Sequence, residues 1–261
     1  MFNGLRIGSS GMKAAQNVMD NIADQVSNSS TDGYKRKIAD FSELLTNQIG
    51  KDEVVLSQNA QNSSINAGAK GVITKTDFQQ GTIIPSDNNF DMAIDGSGFF
   101  GVESESGKLM LTRNGAFHQN ADNSISDDSG NRLSMDCYVP YSQWPAGSKV
   151  NIGQDGLVTA VDGQGKTEQL GKVILYSPGN NDQLASLGEG KYVQPDGLVL
   201  YNSKDNPDKG FGSIKQKALE SSNVDIMQSM TDMITTQRAY QANSKSITTA
   251  DDMLEVINTI L

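Results

Sequence analysis

The chain has 261 residues, a formal net charge of −10 and a sequence pI near 4.6. That balance argues against nucleic acid as a partner, since phosphate recognition needs Lys/Arg-rich faces, and the one basic run, Lys35-Arg36-Lys37, reads as a solvated patch. A single cysteine, Cys137, and a single histidine, His118, exclude an internal disulfide framework and a multi-cysteine zinc site.

The N-terminus reads as a helix. Leu5, Met12, Met19 and Val26 recur every seven residues, and Gly8, Ala15 and Ile22 form a second row offset by three, an a/d stripe of alternating large and small side chains. Asn28-Ser29-Ser30-Thr31-Asp32-Gly33 then stops it. These first residues lack the unbroken apolar core of a cleavable signal peptide, and no apolar run approaches a membrane span, so any passage out of the cytoplasm is expected by another route and without membrane insertion.

The segment Thr46–Lys70 is polar and without a clear period. It is expected to be an extended connector that orders only against something else.

Residues 81–215 alternate short apolar runs with turn dipeptides: Asp95-Gly96, Asn114-Gly115, Asp155-Gly156, Asp162-Gly163 and Asp196-Gly197. Strands are expected at Phe90–Ile94, Phe99–Val102, Lys108–Thr112, Leu157–Val161, Lys172–Tyr176 and Leu198–Tyr201. No helix-period segment separates them, which argues against a parallel βαβ sheet.

The C-terminus is again helical. Ser222-Asn223-Val224-Asp225 has the form of a capping box, and no Gly or Pro follows. Ile226, Met233, Tyr240, Ile247, Leu254 and Leu261 fall every seven residues, with Met230, Gln237, Ser244, Asp251 and Asn258 as the partner row. A helix over 223–260 would be about 57 Å long. Neither terminal helix has an obvious third element to cover its other faces, so the two are expected to need each other and copies from neighbouring chains.

Candidate chemistry is thin. Gly96-Ser97-Gly98-Phe99-Phe100-Gly101 matches G-x-G-x-x-G but surrounds Phe-Phe and runs into a strand-like segment, not a helix. Asn120, Asp122 and Ser124 imitate the start of a calcium loop, which fails at Ile125 and Asn131. With one histidine, most nucleophile–base pairs rest on His118 alone. Carboxylates are plentiful, and a secreted β-domain glycan hydrolase with helical tails is the alternative from another class. No catalytic, cofactor or metal residue is assigned.

Met19-Asp20-Asn21-Ile22-Ala23-Asp24-Gln25-Val26-Ser27-Asn28 and Thr31-Asp32-Gly33-Tyr34-Lys35-Arg36, continued by Phe41 and Leu44-Leu45, resemble the N-terminal signature of flagellar rod and hook proteins. The usual Ala-Asn-Asn-Leu-Ala-Asn core stands here as Ala23–Asn28, with Asp24 to Ser27 departing. Ser222–Asp225, Gln237-Arg238-Ala239-Tyr240, Asn243-Ser244-Lys245, Thr249 and Asp252-Met253-Leu254 resemble the C-terminal signature. Asp91–Phe100, Leu111–Phe117 and Ser186–Gly190 resemble the motifs of the family's β domain.

The resemblance implies an α+β fold in which long N- and C-terminal helices form a coiled-coil-like domain with an intervening antiparallel β-rich domain. Its divisions are expected at 1–34 with 218–261 for the helical polymerisation domain, 35–80 for the connector and 81–217 for the outer β-rich domain. It implies a basal-body rod subunit without enzymatic activity, exported by the flagellar type III apparatus. Such a subunit would polymerise with itself into a torque-transmitting tube and contact adjacent rod and hook proteins. Within the family the chain resembles the distal rod branch, with the β-bearing proximal rod or a hook-type subunit as the alternative, and the connector is expected to stiffen the tube by wedging between axial neighbours. The expected polymer interface is Leu5, Met12, Met19, Ile22, Val26, Ile226, Met233, Tyr240, Ile247, Leu254 and Leu261.

Overall fold

The computed structural model describes residues 2–43, 47–48, 64–65, 68–144, 149–161, 166–195 and 197–260. Most of the expected connector, Leu44-Leu45, the Asp162-Gly163 turn and Leu261 lie outside the described residues. The chain divides into two compact units: residues 1–27, 37–77 and 224–261 form one, and 28–36 with 78–223 form the other. The class is α+β, with every paired strand antiparallel among the described residues.

The first unit holds both long helices, α1 (Phe2–Ser27) and α2 (Ile226–Ile260). They run antiparallel: a Cβ placed on Gly8 would lie 2.9 Å from Ile247 Cγ1, and one on Gly11 would lie 2.7 Å from Asn243 Nδ2. Glycine at both positions lets the axes approach closely at the end of the pair where α1 begins.

α2 starts three residues later than the capping-box reading expects. Asp225 is the cap: its Oδ1 accepts from the N–H groups of Met227 (2.9 Å) and Gln228 (3.1 Å). Ser222 and Asn223 precede the helix, and the Asn223 side chain is committed elsewhere, accepting from Arg36 N at 2.8 Å and donating to Gln79 O at 3.1 Å.

A third element does cover α1, which the sequence did not suggest. Strands β1 (Lys37–Glu43) and β4 (Ala69–Thr76) pair antiparallel, with β2 (Asn47–Gln48) and β3 (Ser64–Ile65) a second short pair between them in the chain. Asn21 Nδ2 and Gln25 Nε2 both donate to the Lys37 carbonyl, at 3.0 and 2.7 Å, and Lys37 Nζ lies 3.3 Å from Asp24. Gly71 of β4 sits directly on the α1 backbone.

The second unit is β-rich. One sheet runs in the order Ala185–Gly188, Lys191–Val193, Leu109–Thr112, Phe99–Glu103, Arg132–Leu133, Ile125–Asp127, Phe117–Gln119, and Leu175–Pro178 also pairs with Phe99–Glu103. A four-stranded sheet follows the order Met135–Cys137, Thr167–Val173, Leu157–Val161, Lys149–Ile152. Two ribbons complete it, Ser213–Gln216 on Met92–Asp95 and Ala218–Glu220 on Ile83–Pro85. The expected strand Lys172–Tyr176 is in fact the end of one strand and the start of another in a different sheet. One apolar core joins the sheets, with Phe100 and Phe117 edge to face at 5.4 Å and Trp144, Val158, Leu170 and Ile214 packed about them.

Asn114-Gly115 is not a hairpin turn. Gly115 keeps negative φ and accepts from Met92 N at 3.0 Å, and a Cβ there would collide with the Met92 carbonyl. Glycine serves close approach here, not the positive φ of a tight turn.

The Gly71 contact yields a test. Its missing Cβ would fall 2.5 Å from the Ala14 carbonyl oxygen. Gly71→Val should therefore push the hairpin off α1 and cost about 1–3 kcal/mol. A chemical melt followed by far-UV circular dichroism checks it, and an unchanged helical transition would contradict the contact.

Candidate functional site

The residues expected at a polymer interface fall into distinct environments. On α1, Ile22 is buried, whereas Leu5, Met12, Met19 and Val26 are half-buried. The buried face of α1 is centred on Ala14, Ala15, Val18, Asn21, Ile22 and Gln25, because the helix has two neighbours, α2 and the hairpin. Of these, Ala14, Val18, Asn21 and Gln25 escape a heptad count made for a single partner.

On α2, Met233, Tyr240, Ile247 and Leu254 are half-buried and share one face, while Ile226 is exposed. Their partner row is Ser229, Thr236, Asn243 and Ala250, not the row from Met230 to Asn258: Ser229 and Thr236 are buried, whereas Met230, Gln237, Asp251 and Asn258 are exposed. A short hydroxyl can lie against a helix by bonding its own backbone, as Ser229 Oγ does to Asp225 O (2.7 Å) and Thr236 Oγ1 to Asp232 O (2.7 Å). Away from the seam α2 leaves Met227, Met230 and Ile234 exposed near its start and Met253 and Val256 near its end, and Ile226 and Ile257, which continue the two seam rows, are exposed as well. Large apolar side chains grouped in this way mark an interaction surface.

The second notable arrangement is a buried ion cluster inside the β-rich unit. Lys35, Arg113 and Glu220, far apart in sequence, meet with Lys35 and Glu220 each 1% exposed and Arg113 5%. Glu220 Oε1 accepts from Lys35 Nζ at 2.5 Å and from Gly81 N at 2.8 Å, and Oε2 accepts from Arg113 Nη1 at 3.1 Å. Lys35 also donates to Gln79 O (2.7 Å) and Arg113 to Gly96 O (2.9 Å), while the guanidinium lies over the Phe99 ring at 5.3 Å. Burial pushes the Arg113 guanidinium down from its usual value, and Glu220 opposes that shift. The reading of Lys35-Arg36-Lys37 as a solvated patch is therefore corrected: Lys35 is a core cation and Lys37 pairs with Asp24.

Backbone contacts extend the cluster. Gly33 N donates to Glu220 O (2.6 Å) and Asn223 N to Tyr34 O (3.4 Å). The chain passes between its two units at 27/28, 36/37, 77/78 and 223/224, and within the β-rich unit the segments that meet the last three of these points are tied together by Lys35, Gln79, Glu220 and Asn223.

Among the described residues catalytic geometry does not develop elsewhere. Ser126 Oγ lies 3.2 Å from His118 Nε2, and Asp128 Oδ1 lies 3.6 Å from Nδ1. The imitation of a triad ends there: Ser126 is fully buried and its hydroxyl already accepts from Asn120 Nδ2 at 2.9 Å. The calcium-like segment is a hairpin turn in which the Ser124 hydroxyl and N–H hold the Asp122 carboxyl below its usual range. Cys137 is exposed at a strand end. Among the described residues no group of His, Cys, Asp and Glu could hold a metal ion.

Residues 93–160 match the family described as "Flagellar hook protein FlgE/F/G D1 domain", and residues 215–260 match "Flagellar basal body rod FlgEFG protein C-terminal". The chain is similar to the flagellar basal-body rod protein FlgG of Agrobacterium fabrum, 34% identical over 97% of both chains. It is also similar to the FlgG proteins of Buchnera aphidicola subsp. Schizaphis graminum and subsp. Acyrthosiphon pisum, each 32% identical over 99% of both chains. Arg113 falls in the first matched stretch and Glu220 in the second.

Removing the shared anion should be costly. Glu220→Gln leaves two buried cations without a counter-charge, for which a loss of about 3–5 kcal/mol is expected. Urea unfolding followed by the fluorescence of Trp144, the only tryptophan and a core residue of the same unit, measures it. A midpoint equal to that of the unmodified chain would remove the cluster from any structural role.

Proposed function

The chain belongs to the flagellar basal-body rod and hook protein family, and from that premise we propose that it polymerises through its two terminal helices into the helical tube of the rod. It is a structural subunit of the flagellar basal body and not an enzyme. The observation that carries the polymer reading is the apolar set that α2 leaves uncovered, Ile226, Met227, Met230, Ile234, Met253, Val256 and Ile257. Among the described residues α1 packs against one side of this helix and nothing covers these side chains, whereas copies of the same chain would supply a cover.

In this reading α1 and α2 act as a coiled-coil-like polymerisation domain. The similarity to FlgG proteins along nearly the whole chain favours the distal rod. The partners are then further copies of the chain and the adjacent rod and hook proteins, with torque passed through the tube toward hook and filament. Delivery would be through the flagellar type III apparatus to a place outside the cytoplasmic membrane. No helix among the described residues is long and apolar enough to cross a membrane, which suits a protein that is assembled and not inserted. Nucleic acid has no part in this function.

A charge on the helix seam should stop assembly without unfolding the β-rich unit. Leu254→Asp is expected to abolish swimming and the formation of sedimentable polymer, with Trp144 fluorescence unchanged, because a charge in a water-excluded contact is penalised in every subunit. His118→Ala and Cys137→Ser are expected to swim normally. Normal polymer from Leu254→Asp, or lost motility in either mild variant at normal protein level and assembly, would overturn the reading.

A further inference from the structure

Between α1 and the β1–β4 hairpin lies an open groove of about 490 Å³. Val18, Ala39 and Val72 give it an apolar lining, Ile73 stands more than half exposed at one lip, and Asp20 lies exposed on the other. Asn21 also lines it. That side chain is 6% exposed and gives its amide N–H to Lys37 O, yet its Oδ1 is buried with no hydrogen-bond partner among the described residues. Buried acceptors are ordinarily satisfied, so the groove holds a polar position that calls for a donor as well as an apolar bed.

A matching surface exists on the same chain. Met227, Met230, Ile234 and Arg238 are exposed on α2 at spacings of three, four and four, which places them along one face of the helix. This is the pattern of anchors with which an amphipathic helix enters a groove. Among the described residues Arg238 donates to Gln241 of its own helix, at 3.3 Å, and its guanidinium has further N–H groups to offer to an acid such as Asp20. Gln237, one turn beyond Ile234 and exposed, carries an amide donor of the kind that Asn21 Oδ1 lacks.

The geometry points to a heterologous contact in which the Met227–Arg238 face of α2 from one copy occupies the α1/β1/β4 groove of the next. Among the described residues nothing covers the groove or the stripe, and their complementary apolar and charged groups make the occupant a second copy. Because the two surfaces differ, each subunit keeps one of each free, and the contact propagates as an open polymer instead of closing as a two-fold dimer. This contact rests on the polymer reading above and specifies which surfaces meet.

The test uses the full chain in a Cys137→Ser background, which leaves no other thiol. Two single-cysteine chains are made, Ile234→Cys and Ile73→Cys, at positions exposed enough to tolerate the change. They are polymerised separately and as a mixture, oxidised, and run without reductant. A disulfide-linked dimer is expected from the mixture and from neither chain alone. In parallel, Arg238→Glu and Asp20→Lys should each raise the concentration needed for polymer at least about tenfold, and the double variant should restore it. Polymer that forms normally but yields no dimer, with charge reversals that assemble like the unmodified chain, overturns the contact and leaves the subunit reading standing. Failure of the unmodified chain to polymerise under any condition defeats the subunit reading and the contact with it.

Discussion

Glu220 serves two cations at once, and the geometry of the β-rich unit follows from that demand. Its two carboxylate oxygens face opposite partners, Lys35 and Arg113, in a place that water does not reach. Three apolar residues of similar volume would hold the same segments at least as firmly, because desolvating ions offsets most of their attraction. What the ions add is register. Ala218–Glu220 pairs residue for residue with Ile83–Pro85, and a slip of one would turn the Glu220 side chain to the other face. Two cations would then remain buried without an anion. The cluster thus rejects mispaired arrangements of three distant chain segments at the position where the chain leaves the unit, and the Glu220 bond to Gly81 N ties the ribbon to the same point.

The helical unit is organised on the opposite principle. Its seam is built from side chains that are small, polar or only half-covered: Gly8, Gly11 and Ala15 on α1 against Ser229, Thr236, Asn243 and Ala250 on α2. Small residues bring backbones together but bury little apolar area per contact, and that area sets the stabilisation. The hairpin adds two side-chain bonds to a single carbonyl, that of Lys37, the Lys37–Asp24 pair, a bond from Ala69 N to Ser10 Oγ and the close approach of Gly71. A helix pair held this lightly within one chain has much to gain from contacts with other copies.

The sequence disclosed some of this and concealed the rest for identifiable reasons. Both helices were legible because heptad spacing survives over 26 and 35 residues with no interior proline. The second row of α2 was misplaced by one position because Met230 and Gln237 obey the period of seven as well as Ser229 and Thr236 do. Packing chose the hydroxyls, which hydropathy does not favour. The hairpin on α1 was missed because β1 and β4 are separated by a long stretch of chain and pair non-locally. Asn114-Gly115 misled because one dipeptide suits both a tight turn and a close backbone crossing. The ion cluster was illegible as such: Lys35, Arg113 and Glu220 look like ordinary surface charges until the fold brings them together. Lys35 and Arg113 do sit within stretches that carried the family resemblance, and Glu220 stands two residues before one.

The distribution of exposed apolar groups on α2 bears on how a polymer subunit remains soluble before assembly. They fall in two short patches, 226–234 and 253–257, separated by Gln237, Arg238, Gln241 and Lys245. A continuous stripe along the whole helix would bind any apolar surface it met, including its own copies out of register. Two patches interrupted by polar and basic turns each provide little burial, and a net charge of −10 keeps subunits apart in solution. Association becomes favourable only when several weak contacts form together on the end of an existing polymer, where one incoming chain meets more than one neighbour. The interrupted pattern therefore favours growth on an existing end over random pairing, and it does so with the same side chains that a fully buried helix would place in its core.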